Sequence, residues 1–140
     1  KIKSRIKSIH TIMRKMKSYV SGSISAHLDT DKNEGAFREA AKKLSDLGYE
    51  TIVPHDIPPL EDWDGNWVAH MRADLIEMLS NADFVVTLPN SESSEGTEIE
   101  GWLARKMKMP VIPICNIRAA DEMIWPEGSV FIKKMEVSHA

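Results

Sequence analysis

The run Phe84-Val85-Val86-Thr87-Leu88 constrains this chain more than any other stretch. A strand with one face in water alternates apolar and polar residues, whereas this one is apolar almost throughout, as a parallel strand covered on both faces must be. Parallel neighbours need crossover connections, usually helices. The flanking sequence supplies them. Before the run, Trp67, Val68, Met71, Leu75, Ile76 and Leu79 mark a helical face over residues 67–79; after it, Trp102, Leu103, Lys106 and Met107 continue a helix that starts near Thr97.

The rest of the chain repeats this alternation. Residues 18–21 read as a first strand that runs into the turn Gly22-Ser23-Ile24-Ser25. Phe37, Ala40, Ala41, Leu44 and Leu47 then lie on one helical face that ends at Gly48. Residues 49–53 are a second strand, which Pro54, Pro58 and Pro59 stop from continuing. Residues 54–66, with His55, Asp56, Asp62, Trp63 and Asp64, form a loop long enough to cover a site. Met109 to Ile114 supply a fourth strand, residues 118–124 a short helix, and Val130-Phe131-Ile132 a last strand. The order predicts an α/β fold: a flavodoxin- or Rossmann-like three-layer α-β-α sandwich with a mostly parallel sheet of about five strands. Ligands of such sheets sit beyond the carboxyl ends of the strands. That rim gathers Gly22-Ser23, the 54–66 loop and Ser94 to Glu100.

With 140 residues, 42% of them apolar, the chain suffices for one domain, expected over residues 16–140. Residues 1–15 form a basic amphipathic extension, helical over 2–14, that could lie on a partner subunit, an acidic membrane or nucleic acid, or simply pack on its own domain. Seven Lys or Arg and no acid fall in residues 1–17, so the net charge of −3 hides an acidic body. Such a body is a poor general binder of nucleic acid, whose affinity comes largely from neutralising phosphates. No apolar run is long enough to span a bilayer, so no membrane association is expected. Cys115, the single cysteine, excludes an internal disulfide and fits a reducing, cytoplasmic setting; inside the apolar run 111–115 it reads as a small buried group.

Several chemistries lack their sequence marks. There is no Gly-x-Gly-x-x-Gly after the first strand, no phosphate-binding Lys-Ser/Thr loop and no Gly-x-Ser-x-Gly elbow. The five histidines have no metal-ligand spacing, so neither a metal nor a cofactor is expected. What remains is a strand, a polar turn and a helix start at Ser93-Ser94-Glu95-Gly96-Thr97-Glu98-Ile99-Glu100-Gly101. Backbone N–H groups at such a junction can meet an anion, and Glu100, one turn in, can reach the same ligand.

Tyr19-Val20-Ser21-Gly22 with Ser23, Met71-Arg72-Ala73-Asp74-Leu75, and Ser94-x-Gly96-Thr97-x-x-Glu100, taken in order, resemble the nucleoside 2-deoxyribosyltransferase family and its nucleotide N-hydrolase relatives. The likeness covers about residues 16–115. It implies that Glu100 is a nucleophile attacking C1′ of a ribose or deoxyribose, that Asp74 handles the sugar hydroxyl and the proton of the departing base, and that Tyr19 orients Glu100. Ser21, Gly22, Ser23, Ser94, Gly96 and Thr97, with Arg72 as a nearby cation, would bind substrate and its 5′-phosphate. The implied ligand is therefore a nucleoside or nucleotide, with a 5′-monophosphate favoured by Ser94. Glu95 and Glu98 bring negative charge to that same place. Relatives assemble as dimers or larger rings, which implies a homo-oligomer.

The residues themselves leave alternatives open. Thr97-x-x-Glu100 is also a capping box, in which Glu100 would only bond a backbone N–H. Asp74 could be a solvated helix residue and Tyr19 a core aromatic. Trp63 and Trp67 could stack on a base or anchor their loop. Cytokinin-activating phosphoribohydrolases share Gly-Thr-x-x-Glu but precede it with Pro-Gly-Gly, where this chain has Pro89-Asn90-Ser91. A non-catalytic nucleotide-sensing module would keep the same rim without turnover.

Overall fold

A computed structural model describes residues 15–24, 32–61 and 66–129. The expected helix over 2–14, the last strand at 130–132, Trp63 and the rest of 62–65, and residues 25–31 lie outside the described residues. Four strands, β1 (Lys17–Ser21), β2 (Glu50–Ile52), β3 (Phe84–Thr87) and β4 (Val111–Pro113), form one parallel sheet in the order β2-β1-β3-β4. Three helices join them: α1 (Glu34–Asp46), α2 (Asn66–Asn81) and α3 (Glu95–Lys106). The fold is thus the expected α/β class, with four strands among the described residues.

Register is set at the amino edge of the sheet. The Lys17 N–H donates to Asp83 Oδ2 at 2.7 Å and the Asp83 N–H to the Lys17 carbonyl at 2.8 Å, which ties the start of β1 to the start of β3. From there Tyr19 pairs with Val85 and Ser21 with Thr87. Because side chains alternate along a strand, the sheet carries two cores. Val20, Phe84, Val86 and Ile112 pack with Phe37 and Leu44 of α1; Tyr19 and Val85 pack with Met78 of α2 and Ala104 of α3. Tyr19 and Ser21, two residues apart, therefore point to the same side, the one covered by α2 and α3.

The face under α1 is completed without the helix expected over 118–124. A 3-10 turn at Ile114–Asn116 is followed by irregular chain whose backbone groups find partners elsewhere. The Ala120 N–H donates to the Leu47 carbonyl at 2.8 Å, and the Tyr49 hydroxyl donates to the Arg118 carbonyl at 2.7 Å. Those bonds compete with helical ones, and the apolar residues Ile117, Met123 and Trp125 follow no helical period. Trp125 lies edge-on to Phe84, with ring centroids 4.8 Å apart, and so serves as the covering layer. The same turn puts Cys115 at the surface, contrary to the buried position its apolar neighbours suggest: β4 ends at Pro113 and the chain leaves the core there.

No described helix is long and apolar enough to cross a membrane. Beyond β2, the turn Pro54–Asp56 is pinned to α1, since Arg38 donates to both oxygens of Asp56 at 2.8 and 2.7 Å and to Glu34 at 3.1 Å. Trp67, at the start of α2, is 42% exposed.

Candidate active site

Helix α3 begins two residues before Thr97, because Ser94 is its N-cap: the Ser94 hydroxyl accepts from the Thr97 N–H at 3.3 Å, and the Ser94 carbonyl accepts from the Glu98 N–H at 3.0 Å. Glu95 and Glu98 in the first turn and Arg105 and Lys106 in the last complement the helix dipole. Capping by Ser94 removes the capping-box reading of Glu100. The Glu100 side chain turns inward instead, to 5% exposure, towards the face of β1 that carries Tyr19 and Ser21.

There each carboxylate oxygen receives one hydroxyl. Tyr19 donates to Oε2 at 2.5 Å and Ser21 donates to Oε1 at 2.6 Å. Hydrogen bonds to a charged acceptor are short and strong, so this pair of donors fixes the carboxylate in place and favours its ionised form. Tyr19 is at once the core aromatic and the orienting hydroxyl: its ring packs with Met78 and Val85 while its tip holds Glu100. Burial pushes the Tyr19 hydroxyl well above its usual range, and the charges of Glu100 and Asp74 push it further, so it stays protonated as a donor.

Asp74 comes from α2, three residues after the buried Met71 and so on the same helix face. It is 7% exposed, which removes the solvated-surface reading. Burial first, and then the charge of Glu100, raises its carboxyl to about 7. Burial likewise raises Glu100 to about 7, against the downward pull of Ser21 and Tyr19. Two buried carboxyls that repel one another share one proton near neutrality. The donors decide its place: Glu100 has two, while Oδ1 of Asp74 is buried with no partner. Asp74 holds the proton and Glu100 the charge.

The remaining sequence candidates divide. Ser21, expected opposite a phosphate, gives its proton to Glu100; its spacing of two from Tyr19 on a strand was the available signal. Gly22 lies close against Leu88: a Cβ there would lie 2.8 Å from Leu88 Cδ1 and 3.1 Å from Leu88 Cβ, so the Leu88 side chain would have to shift to admit one. Ser23 is buried, and its carbonyl accepts from the Asn33 side-chain amide at 3.1 Å. At Gly96 a Cβ would meet Met71 Sδ at 3.4 Å, an ordinary contact, so packing does not demand the glycine. Thr97 Oγ1 is buried without a partner. Arg72 is exposed, and two positions from Asp74 is about 200° round a helix, so it is not brought to this side of α2. No group of His, Cys, Asp and Glu that could hold a metal occurs among the described residues.

The arrangement is a charged carboxylate clamped by two hydroxyls, a protonated carboxyl beside it, and an unpaired threonine hydroxyl one turn towards the carboxyl rim. It can attack an electrophilic carbon and protonate what leaves. No curated protein and no solved structure matches the chain. A family match does cover residues 16–113, from the start of β1 to the end of β4, and so includes every residue of this cluster. The chain belongs to that family, described as Domain of unknown function (DUF4406).

Proposed function

We propose that the protein cleaves the N-glycosidic bond of a nucleoside or nucleoside 5′-monophosphate, with Glu100 as nucleophile and Asp74 as general acid and base. The observation that carries this reading is the pairing of Glu100, held by Tyr19 and Ser21, with a buried carboxyl whose Oδ1 has no partner. In the first half-reaction a Glu100 oxygen bonds to C1′ as the C1′–N bond breaks, and the base leaves with that electron pair and the Asp74 proton. In the second, water attacks C1′, the ester C1′–O bond breaks back to Glu100, and Asp74 recovers its proton from the water. A second base in place of water would give transfer instead of hydrolysis. Both steps pass through an oxocarbenium-like state that a nearby negative charge stabilises.

The likeness to nucleoside 2-deoxyribosyltransferases and their hydrolase relatives supports this assignment residue by residue at Tyr19, Asp74 and Glu100. It also supports a homo-oligomer, while the single cysteine fits a cytoplasmic setting. Ile76, Leu79 and Trp102 are exposed on α2 and α3 and offer apolar area for a contact between copies; a monomer in sedimentation would remove that part of the reading.

Incubation with a panel of nucleosides and their 5′-monophosphates, with chromatography of the free base, tests the activity. Release of one or more bases is the expected result. Tight calorimetric binding of an intact nucleotide with no base released over hours would favour a sensing module and end the catalytic reading.

A further inference from the structure

We infer that Ser21 is a positioning residue for this chemistry: by donating to Oε1 of Glu100 it keeps the proton that the two buried carboxyls share on Asp74, and so leaves Glu100 charged and able to attack. The inference rests on the N-glycosidase reading and adds to it the residue that sets the two carboxyl roles apart.

A hydroxyl buried in a strand costs stability unless it finds a partner, so alanine would serve the fold at less cost. Strand β1 buries two serines completely, Ser18 and Ser21. Ser18 uses its hydroxyl within the sheet, donating to the Glu50 carbonyl of β2 at 2.9 Å. Ser21 does not. Its backbone is fixed without the side chain, by pairing with Thr87 and by the Leu88 N–H, which donates to its carbonyl at 2.9 Å. The hydroxyl crosses instead to a carboxylate 79 residues away, at 2.6 Å.

Two donors hold Glu100, but they do not separate it from Asp74 equally. The charges of both carboxyls bear on the Tyr19 hydroxyl, so a donor there favours a negative charge on either of them. The one proton of Ser21 is committed to Glu100. Thr97 Oγ1, one turn before Glu100, has no partner and so does not share the task. Among the described residues, the ionisable groups that act on Glu100 are Tyr19 from β1 and Asp74 from α2; Val85 of β3 and Ala104 of α3 add apolar wall, and Glu95 and Glu98 of its own helix are exposed. None of these groups is a cation, so hydrogen bonds decide which carboxyl ionises. Without Ser21, Oε1 would be a buried acceptor with no partner, as Oδ1 of Asp74 already is, and the shared proton would pass in part to Glu100. A protonated Glu100 is no nucleophile, and an ionised Asp74 has no proton for the leaving base.

Ser21→Ala and Ser21→Cys test this together, because cysteine fills the space of serine while its S–H is a weak donor. A packing role is met by cysteine; a donor role is not. Proton placement is read by carbon NMR on protein labelled at the side-chain carboxyl carbon of glutamate, the Glu100 signal being the one missing from Glu100→Gln. Near neutral pH we expect that signal at the ionised position in the wild type, and displaced towards the protonated one in both Ser21 variants. Base release near neutral pH should fall by about tenfold or more in both, chiefly in kcat, and the acid limb of the pH profile should move to higher pH. A Glu100 signal that titrates in Ser21→Ala as it does in the wild type, or a Ser21→Cys protein that matches the wild type in signal and pH profile, overturns the inference and leaves the glycosidase reading standing. If Ser21→Ala fails to fold, Ser21→Cys alone decides on the same two readouts. No base released by the wild type from any nucleoside or nucleotide ends the glycosidase reading, while the NMR signal still decides whether Ser21 places the proton.

Discussion

Replacing Glu100 by glutamine is expected to lower base release by about 10⁴-fold or more, the scale on which removal of an enzyme nucleophile acts. The amide keeps the shape of the carboxylate and can still accept from one of the two hydroxyls that Tyr19 and Ser21 present, while its own N–H₂ donates to the oxygen of the other. It cannot form a stable ester with C1′. The loss should therefore fall on kcat with little change in thermal melting, and single-turnover base release with parallel melting curves would check both. A variant that folds normally and retains most of its activity would remove Glu100 from the chemistry.

The second large effect is expected at Asp74. Asparagine there removes the proton that the leaving base needs, a contribution of about 10²- to 10⁴-fold for general acid catalysis. The loss should be greatest for bases that leave poorly. Because Asp74 is held at about 7 by burial and by Glu100, the wild-type rate should fall on the alkaline side of neutrality, and that limb should vanish in Asp74→Asn. Stability should respond in a matching sense. An aspartate in an unfolded chain titrates near 4, whereas the folded value is about 7. The folded protein thus binds more protons between these values, so its stability falls as pH rises through that window. The favourable contribution is fully present below about pH 4 and gone above the folded value. Asparagine does not titrate, so the melting temperature of Asp74→Asn relative to wild type should be higher at pH 8 than at pH 4. A difference that moves the other way would contradict the buried, proton-holding state of Asp74.

Such a pair is a cost to the fold, and much of the surrounding architecture serves to hold it. Tyr19 and Ser21 belong to a central strand whose register is clamped at Lys17 and Asp83. Their two-residue spacing aims both hydroxyls at one point, and Ser94 fixes where α3 begins and hence where Glu100 lies along it. The site is therefore built mostly on regular elements, where side-chain positions are set by packing on the sheet.

The parts of this arrangement that depend on periodicity could be read from residue order. The apolar run 84–88 marked a covered strand, and the faces of residues 37–47 and 67–79 marked helices whose ends fell within three residues of those predicted. Glu100 and Asp74 could be singled out because a carboxylate at a strand-to-helix junction and another on the preceding helix occur in an order that a known family shares. Features that depend on contacts across the fold were not legible. Nothing local reveals that Gly22 makes room for Leu88, or that Ser21 reaches Glu100 instead of a ligand. The chain after Asn116 has the local composition of a helix but is irregular, because the partners of its backbone groups, Leu47 and Tyr49, lie far away in sequence. The apolar neighbours of Cys115 suggest a core position, but the turn after Pro113, which no local pattern marks, carries it to the surface. The capping box that Thr97 and Glu100 could form is displaced because the cap lies one turn earlier, at Ser94.

Nucleophilic attack would join Glu100 to the sugar, and intact-mass spectrometry with peptide mapping reads that bond directly. The protein would be incubated with a nucleoside whose sugar carries fluorine at C2′, which slows breakdown of the intermediate by destabilising the oxocarbenium-like state, and then quenched in acid. One added sugar residue per chain, mapped to Glu100 and missing from Glu100→Gln, is the predicted result. Label on any other residue, equal label in Glu100→Gln, or base release from the natural nucleoside with no adduct from the fluorinated one would contradict it.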